Sequence, residues 1–454
     1  MNDLRLIAGT VVLLAALAAL SPLGAAAQVE RGGALPGPLP LFPPDNWWNV
    51  DVSQAPIDPQ SDAYIAWIGD DALHPDFGGD VDPGDPGNPE TYGMIYVVVP
   101  GSQPLEPVAF VEFGDESDDG APGRPPGYPI PAAARTQPRW IEGGQPGNSD
   151  AGGDRHMLIV DRDRRLLYEL YHLFWDADLA RWEAGSGAVF PLDENRRRTE
   201  GWTSADAAGL AILPGLVRHD EAFGAEPIRH AFRVTLGSTD GHVYPASHTA
   251  GGTAGALPLG ARLRLAAGKD IAQHPLYLRR IFQAMKTYGL IVADNGTDMY
   301  VTGTYDTRWD NDVLNPAFAG LRASDFEVVE LGWRPQVQGT CDPGPTTLCL
   351  GEGRFRLEVE WETPEGQGAG RGVGLTADSG YFWFFDPANV EVLVKVLDGC
   401  PANGRHWVFA AGLTNTRVVL RVTDTTTGSA RTYVNPLNRA FRPVQDTAAF
   451  AACP

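Results

Sequence analysis

Apolar and polar positions along this chain repeat mostly with a period of two. The stretch GDRHMLIVDRDRRLLYELYH, residues 153–172, sets the pattern: an apolar run, a charged turn and a second apolar run. It predicts a hairpin. Residues 94–100, 107–114, 228–237, 261–267, 290–294, 299–303 and 326–331 read as further strands, rich in β-branched and aromatic residues. One segment breaks the period. In DIAQHPLYLRRIFQAMKTYG, Leu276, Leu278, Ile281, Phe282 and Met285 fall near helical spacing, and Gly289 is a natural stop. This predicts one clear helix near 272–288. A shorter helix is expected from Ser61, as its cap, through Ile68, and short helical turns across 201–221. Residues 74–93 and 115–134 are too rich in Gly, Pro and Asp for regular structure.

The fold class expected is mainly β. A β-rich N-terminal domain, sandwich-like or jelly-roll-like, would span 44–335. A C-terminal Ig-like β-sandwich would span 340–454, after a boundary near 334–345. There RFRLEVEWET, VEVLVKVLDG and TRVVLRVTDT succeed one another with turn signals between them, the cadence of a small sandwich. Residues 28–43 read as an extended leader. Residues 1–27 carry an apolar run from Leu6 to Leu20 and a small-residue site at Ala25–Ala27, the signature of a secretory signal peptide. The protein is therefore expected to be secreted or periplasmic. No later stretch is apolar for long enough to span a membrane.

Composition sharpens this reading. The 53 Gly and 38 Pro favour many turns between short strands over a helical bundle. A net charge of −22 argues against nucleic acid and anionic membranes as partners. The four cysteines, Cys341, Cys349, Cys400 and Cys453, all lie in the last quarter of the chain, and in an exported protein they imply disulfides. Of three pairings, Cys341 with Cys349 and Cys400 with Cys453 is preferred, because the first pair is close in sequence. No CxxC or Cys/His cluster suggests zinc.

The motifs TTLCLGEGRFRLEVEW, TADSGYFWFFDPANVEVLVKVLDGC and HWVFAAGLTNTRVVLRVTDT resemble an accessory β-sandwich module of secreted bacterial proteins. That resemblance implies a stabilising or targeting role for about residues 340–448. The motifs NWWN, GDRHMLIVDRD, GSGAVFPL, GWTSADAAGL and GLIVADNG resemble a group of secreted bacterial proteins, and imply no chemistry.

The chemistry must come from the residues. If Val160 pairs with Leu166, then Asp154, His156, Tyr168 and His172 share one face of the hairpin. A shift of one residue places Glu169 or Tyr171 opposite His156 instead. Either way an acid and an imidazole sit at the strand start, where they can act as an acid–base pair or as an ordinary capped sheet edge. Asp206 follows Ser204, which can simply cap a helix. Asp294 and Asn295 end an apolar strand, where they can reach a cleft or form a turn. The carboxylate candidates are Asp154, Glu169, Asp206 and Asp294, with His156 as general acid–base. Trp47, Trp48, Arg155, Trp202, His230, His248, Asn295, Arg308 and Trp309 are candidates for substrate binding, the tryptophans by stacking on sugar rings. His156, His230 and His248 carry no metal-binding spacing. No cofactor is required, although the acidic loops 80–90 and 115–120 offer oxygen ligands that structural calcium accepts. A serine hydrolase is disfavoured, because no GxSxG surrounds Ser204.

An exported, acidic, turn-rich chain with 12 Trp and a sandwich appendage favours work on an extracellular polysaccharide. The expectation is a glycoside hydrolase using carboxylate and histidine acid–base chemistry. The alternatives are a polysaccharide lyase and a non-catalytic glycan-binding envelope protein.

Overall fold

A computed structural model describes residues 28–85, 87–120, 124–335, 341–451 and 453. The expected signal peptide, 1–27, lies outside the described residues. Strands make up 33% of the chain and helices 12%, so the β-rich expectation holds.

The hairpin strands are Met157–Asp161 and Leu166–Tyr171. They are central in a five-stranded sheet, with Tyr96–Val99 and the edge strand Glu30–Arg31 on one side and Ser186–Pro191 on the other. Met157 lies opposite Leu170 and Leu158 opposite Glu169. The register is thus one residue from the first expectation, and the alternative holds: His156 faces Tyr171, their rings 5.5 Å apart. The turn sets this register. Asp161 accepts hydrogen bonds from the backbone N–H of Asp163 (3.1 Å) and Arg164 (2.9 Å), which closes a four-residue loop. Alternation then divides the hairpin between two cores. Leu158, Val160 and Leu167 enter the main core, while Met157, Ile159, Tyr168 and Leu170 enter a second one. Trp182 and Ala184, from a three-stranded sheet of Val108–Phe110, Arg181–Ala184 and Phe174–Asp176, complete that second core.

The main core is shared with a six-stranded mixed sheet, ordered Phe326–Val328, Arg262–Leu265, Leu290–Asn295, Phe232–Leu236, Tyr300–Thr302, His74–Asp76. The long helix is Leu276–Thr287, and it buries Leu278, Ile281, Phe282 and Met285. Leu276 is the exception in the expected stripe, standing exposed at the first position. Gly289 ends the helix at φ +78°, where a Cβ would lie 2.6 Å from the carbonyl oxygen of Leu263.

Three local expectations need correction. The helix Ser61–Ile68 forms, but Ser61 is inside it rather than capping it, and its hydroxyl accepts from the Val328 N–H (2.9 Å). A further helix, Asn311–Ala319, starts at Asp310, whose side chain accepts from the Asp312 N–H; Pro316 inside it masked the pattern. The leader 28–43 is also not loose. It supplies the edge strand Glu30–Arg31 and buries Leu41 and Phe42 in the main core.

The C-terminal sandwich has its own core, to which two five-stranded sheets contribute Leu357, Val359, Leu420, Val394, Val396 and Val408. Strand Phe355–Thr363 shows the cause: Phe355, Leu357 and Val359 point inward while Arg356, Glu358 and Glu360 face solvent. Disulfides join Cys341 to Cys349 and Cys400 to Cys453, the preferred pairing. No helix among the described residues is long and apolar enough to cross a membrane.

Candidate functional site

The hairpin, the 203–206 turn and the six-stranded sheet converge on one cluster of charged side chains. Arg155 fixes its first wall. Its φ of 50° and that of His172, 55°, twist the open end of the hairpin. The Arg155 guanidinium is buried and donates to the carbonyls of Leu173 (3.0 Å) and Pro146 (2.9 Å). Arg155 thus anchors the 146–149 loop and Leu173 to the hairpin. It presents His156, whose Nδ1 lies 2.6 Å from Glu142 Oε2 and whose Nε2 lies 2.9 Å from the Ala205 carbonyl oxygen. Both partners are acceptors, so both ring nitrogens must donate, and the ring is an imidazolium. Burial opposes that charge, and the Glu142 carboxylate overrides it, raising His156 to about 9. Burial likewise works against the Glu142 carboxylate, and the charge and hydrogen bonds of His156 hold it below its ordinary value.

Arg233 is the opposite wall. It lies on the strand Phe232–Leu236, buried, across from the end of Tyr300–Thr302. Its Nη1 donates to Thr302 Oγ1 (2.8 Å) and its Nη2 to Asp206 Oδ1 (2.7 Å). Asp294 Oδ2 stands 3.6 Å from the same Nη2. Burial pushes both carboxyls up, and the neighbouring Asp206 charge adds to it at Asp294, which reaches about 7. Asp206 is fully buried, and Asp294 keeps 26% of its side chain exposed. Glu142 keeps 25%. Asp76, on the neighbouring strand, is also held up, by burial and then by the Glu142 charge. The cluster thus offers solvent one carboxyl that titrates near neutral pH and one held ionised.

Several expected residues fall in other roles. Glu169 shares the His156 face, but it is fully buried and accepts from the N–H groups of Ile212 (3.0 and 2.8 Å) and Leu213 (2.9 Å). Burial raises it to about 7, and those bonds tie the hairpin to the 212–215 turn. Asp154 is exposed at the rim, and its carbonyl accepts from the His172 N–H (2.7 Å). Ser204 caps a turn, not a helix: its hydroxyl accepts from the Asp206 N–H (2.9 Å) and donates to the Leu210 carbonyl (2.6 Å). Tyr168 faces the second core. His172 pairs with Glu112 (2.7 Å). His230 is buried between Glu221 and the Ala231 carbonyl, 2.9 Å from each, and His248 lies 2.9 Å from the Ala207 carbonyl. Asn295 follows Asp294 and donates its N–H to the Asp294 Oδ1 (2.8 Å), while its side-chain amide donates to the Ala250 carbonyl.

The candidate tryptophans do not form an open platform. Trp47, Trp48 and Trp309 belong to the main core. Two guanidinium groups, of Arg124 and Arg198, lie over the Trp202 ring at 4.3 and 5.4 Å. Arg308 is paired with Asp306. In the acidic loops, Asp82 and Asp85 cap turns, while Asp118 and Asp119 pair with Arg198 and Arg124. The one group with metal-ligand geometry among the described residues, Cys400, His406 and Cys453, has its two sulfurs joined in a disulfide.

Glu142, Arg233, Thr302 and Asp76 were not anticipated. Arg233 carried a signal, a charge on a strand otherwise destined for the core, which requires buried partners. Glu142 carried none, since RWIEGG is an ordinary loop sequence. The cavities of about 440 and 720 Å³ do not take in these carboxylates; the first lies beside the 195–202 segment and the second within 433–444. No family model, curated protein or solved structure matches this chain.

Proposed function

We propose that this protein is a secreted glycoside hydrolase acting on an extracellular polysaccharide. The observation that carries the reading is the opposite tuning of two partly open carboxyls around Arg233: Asp294 held up at about 7, Glu142 held down by His156. Environments that push two carboxyls apart define an acid and a base. Asp294 would protonate the leaving glycosidic oxygen. Glu142 would act as the carboxylate on the other side of the bond, either activating water or attacking directly. Arg233 and Asp206 would position Asp294, and His156 would keep Glu142 ionised.

Two features favour hydrolysis over the alternatives. His156, the histidine a lyase would use as its base, already carries a proton on each nitrogen. A binding platform of Trp47, Trp48 and Trp309 would need their faces exposed, and all three are buried. The test is a product screen with the chain from residue 28 onward against neutral, uronic and amino-sugar polysaccharides. New reducing ends without unsaturated-uronate absorbance, lost in Asp294→Asn and in Glu142→Gln, are expected. Absorbance at the unsaturated uronate would make the protein a lyase. Equal reducing-end release by both variants would return the cluster to a structural role.

A further inference from the structure

The turn that holds His156 and Asp206 continues backward, through Trp202 and three consecutive arginines, into a cleft bordering the C-terminal sandwich. The cavity there is about 440 Å³. Arg196, Arg197, Arg198, Tyr244 and Arg334 line one side, and residues 400–404 with Cys453 line the other. This is a positive spot on a chain of net charge −22.

The arginines keep much of their charge uncompensated. Arg197 donates to the carbonyls of Pro245 (2.9 Å) and Ala246 (2.5 Å), and Arg198 to that of Thr203 (3.0 Å). A carbonyl fixes a guanidinium without neutralising it. Arg198 also pairs with Asp118 (2.5 Å), and Arg197 with the largely exposed Glu200 (3.1 Å). Arg334 lies over the Tyr244 ring at 3.9 Å and has no ion pair with a described residue. Arg196 is exposed and reaches Glu194 only at 4.0 Å, a carboxylate that Arg405 shares at 3.5 Å. Four arginines thus line the cleft with two carboxylates, Asp118 and Glu200. An array of forked donors with excess charge suits carboxylate groups spaced along a polymer. The protein's overall negative charge repels polyanions elsewhere, so capture would be confined to this place.

We propose that this cleft binds an anionic, carboxylate-bearing sugar chain and delivers it along the 195–206 segment toward Asp294. The proposal rests on reading the protein as a glycoside hydrolase and names its substrate class: a uronate-containing polysaccharide. Arg196 and Arg334 make the ligand contacts, because Arg197 and Arg198 are occupied in holding the wall.

The test is calorimetric titration of the Asp294→Asn protein, which separates binding from turnover. The probes are an oligogalacturonate, a neutral cello-oligosaccharide and inorganic phosphate, each at low and high salt. Binding of the oligogalacturonate alone, weakening as salt rises, is expected. In an added Arg196→Ala, Arg334→Ala pair its affinity should fall about tenfold or more, with the thermal unfolding temperature unchanged. Lysine at both positions should restore part of it. Equal binding of the neutral oligosaccharide, equal binding of phosphate, or affinity unaffected by the alanine pair would each overturn the proposal. Cleavage of a neutral polysaccharide by the unaltered protein, with no oligogalacturonate binding, would overturn the cleft's role and leave the hydrolase reading standing.

Discussion

Both ring nitrogens of His156 face oxygen acceptors, and this ties its charge to its position. Replacing it with alanine removes the partner that keeps Glu142 ionised. Activity of His156→Ala is expected to fall about a hundredfold or more, with the acid limb of the pH profile moved upward. The loss of a buried paired charge should also lower stability by about 3 kcal/mol, read by denaturant unfolding. Asp294 makes a contrasting case. Its folded value near 7 lies above the ordinary 3.8, so its favourable contribution is present at low pH and lost as pH rises through about 7. Above that pH its charge is a burden. Asp294→Asn should therefore unfold at a higher temperature than the unaltered protein at pH 8, by on the order of 2 kcal/mol in stability, while losing activity. At this scale the sequence was partly legible. Asp294 stood at a strand end, where a carboxyl can reach a cleft, and Asp206 beside a capping Ser204. Glu142 could not be read, because its role comes from the packing of a distant loop against His156.

Elements place these residues. The four-residue turn closed by Asp161 sets a register that sends His156, Glu169 and Tyr171 to one face. Alternation made the hairpin plain in the sequence, yet it could not choose between two registers one residue apart, since both bury apolar side chains. Glu169 then joins hairpin to turn through three backbone bonds. In Glu169→Gln one of those acceptors becomes a donor facing an N–H group. The variant should lose about 1–3 kcal/mol of stability in thermal unfolding yet keep the wild-type pH profile. A profile that collapses with it would give Glu169 a direct part in the chemistry. The long helix was legible because its apolar stripe and Gly289 agree. The helix Asn311–Ala319 was not, because Pro316 interrupts a run too short to show periodicity.

At the scale of the whole molecule, turn-rich composition and strand cadence were enough to anticipate a β-rich chain with a C-terminal sandwich. Mixed sheets in the N-terminal part follow from long-range pairings, such as Tyr96–Val99 beside Met157–Asp161, that no local pattern encodes. The Cys400–Cys453 disulfide closes a segment of 53 residues and pins the wall facing the arginines. Cys400→Ser with Cys453→Ser should lower stability by up to about 4 kcal/mol by the chain-entropy argument, measured against the oxidised protein in denaturant. The central claim, that Asp294 and Glu142 work as acid and base, is tested most directly by the pH dependence of kcat/KM for polysaccharide cleavage. A bell-shaped profile is expected, its basic limb near 7, with Glu142→Gln and Asp294→Asn each slower by about a thousandfold. Cleavage that continues undiminished well above pH 7, or a rate unchanged in either variant, would contradict it.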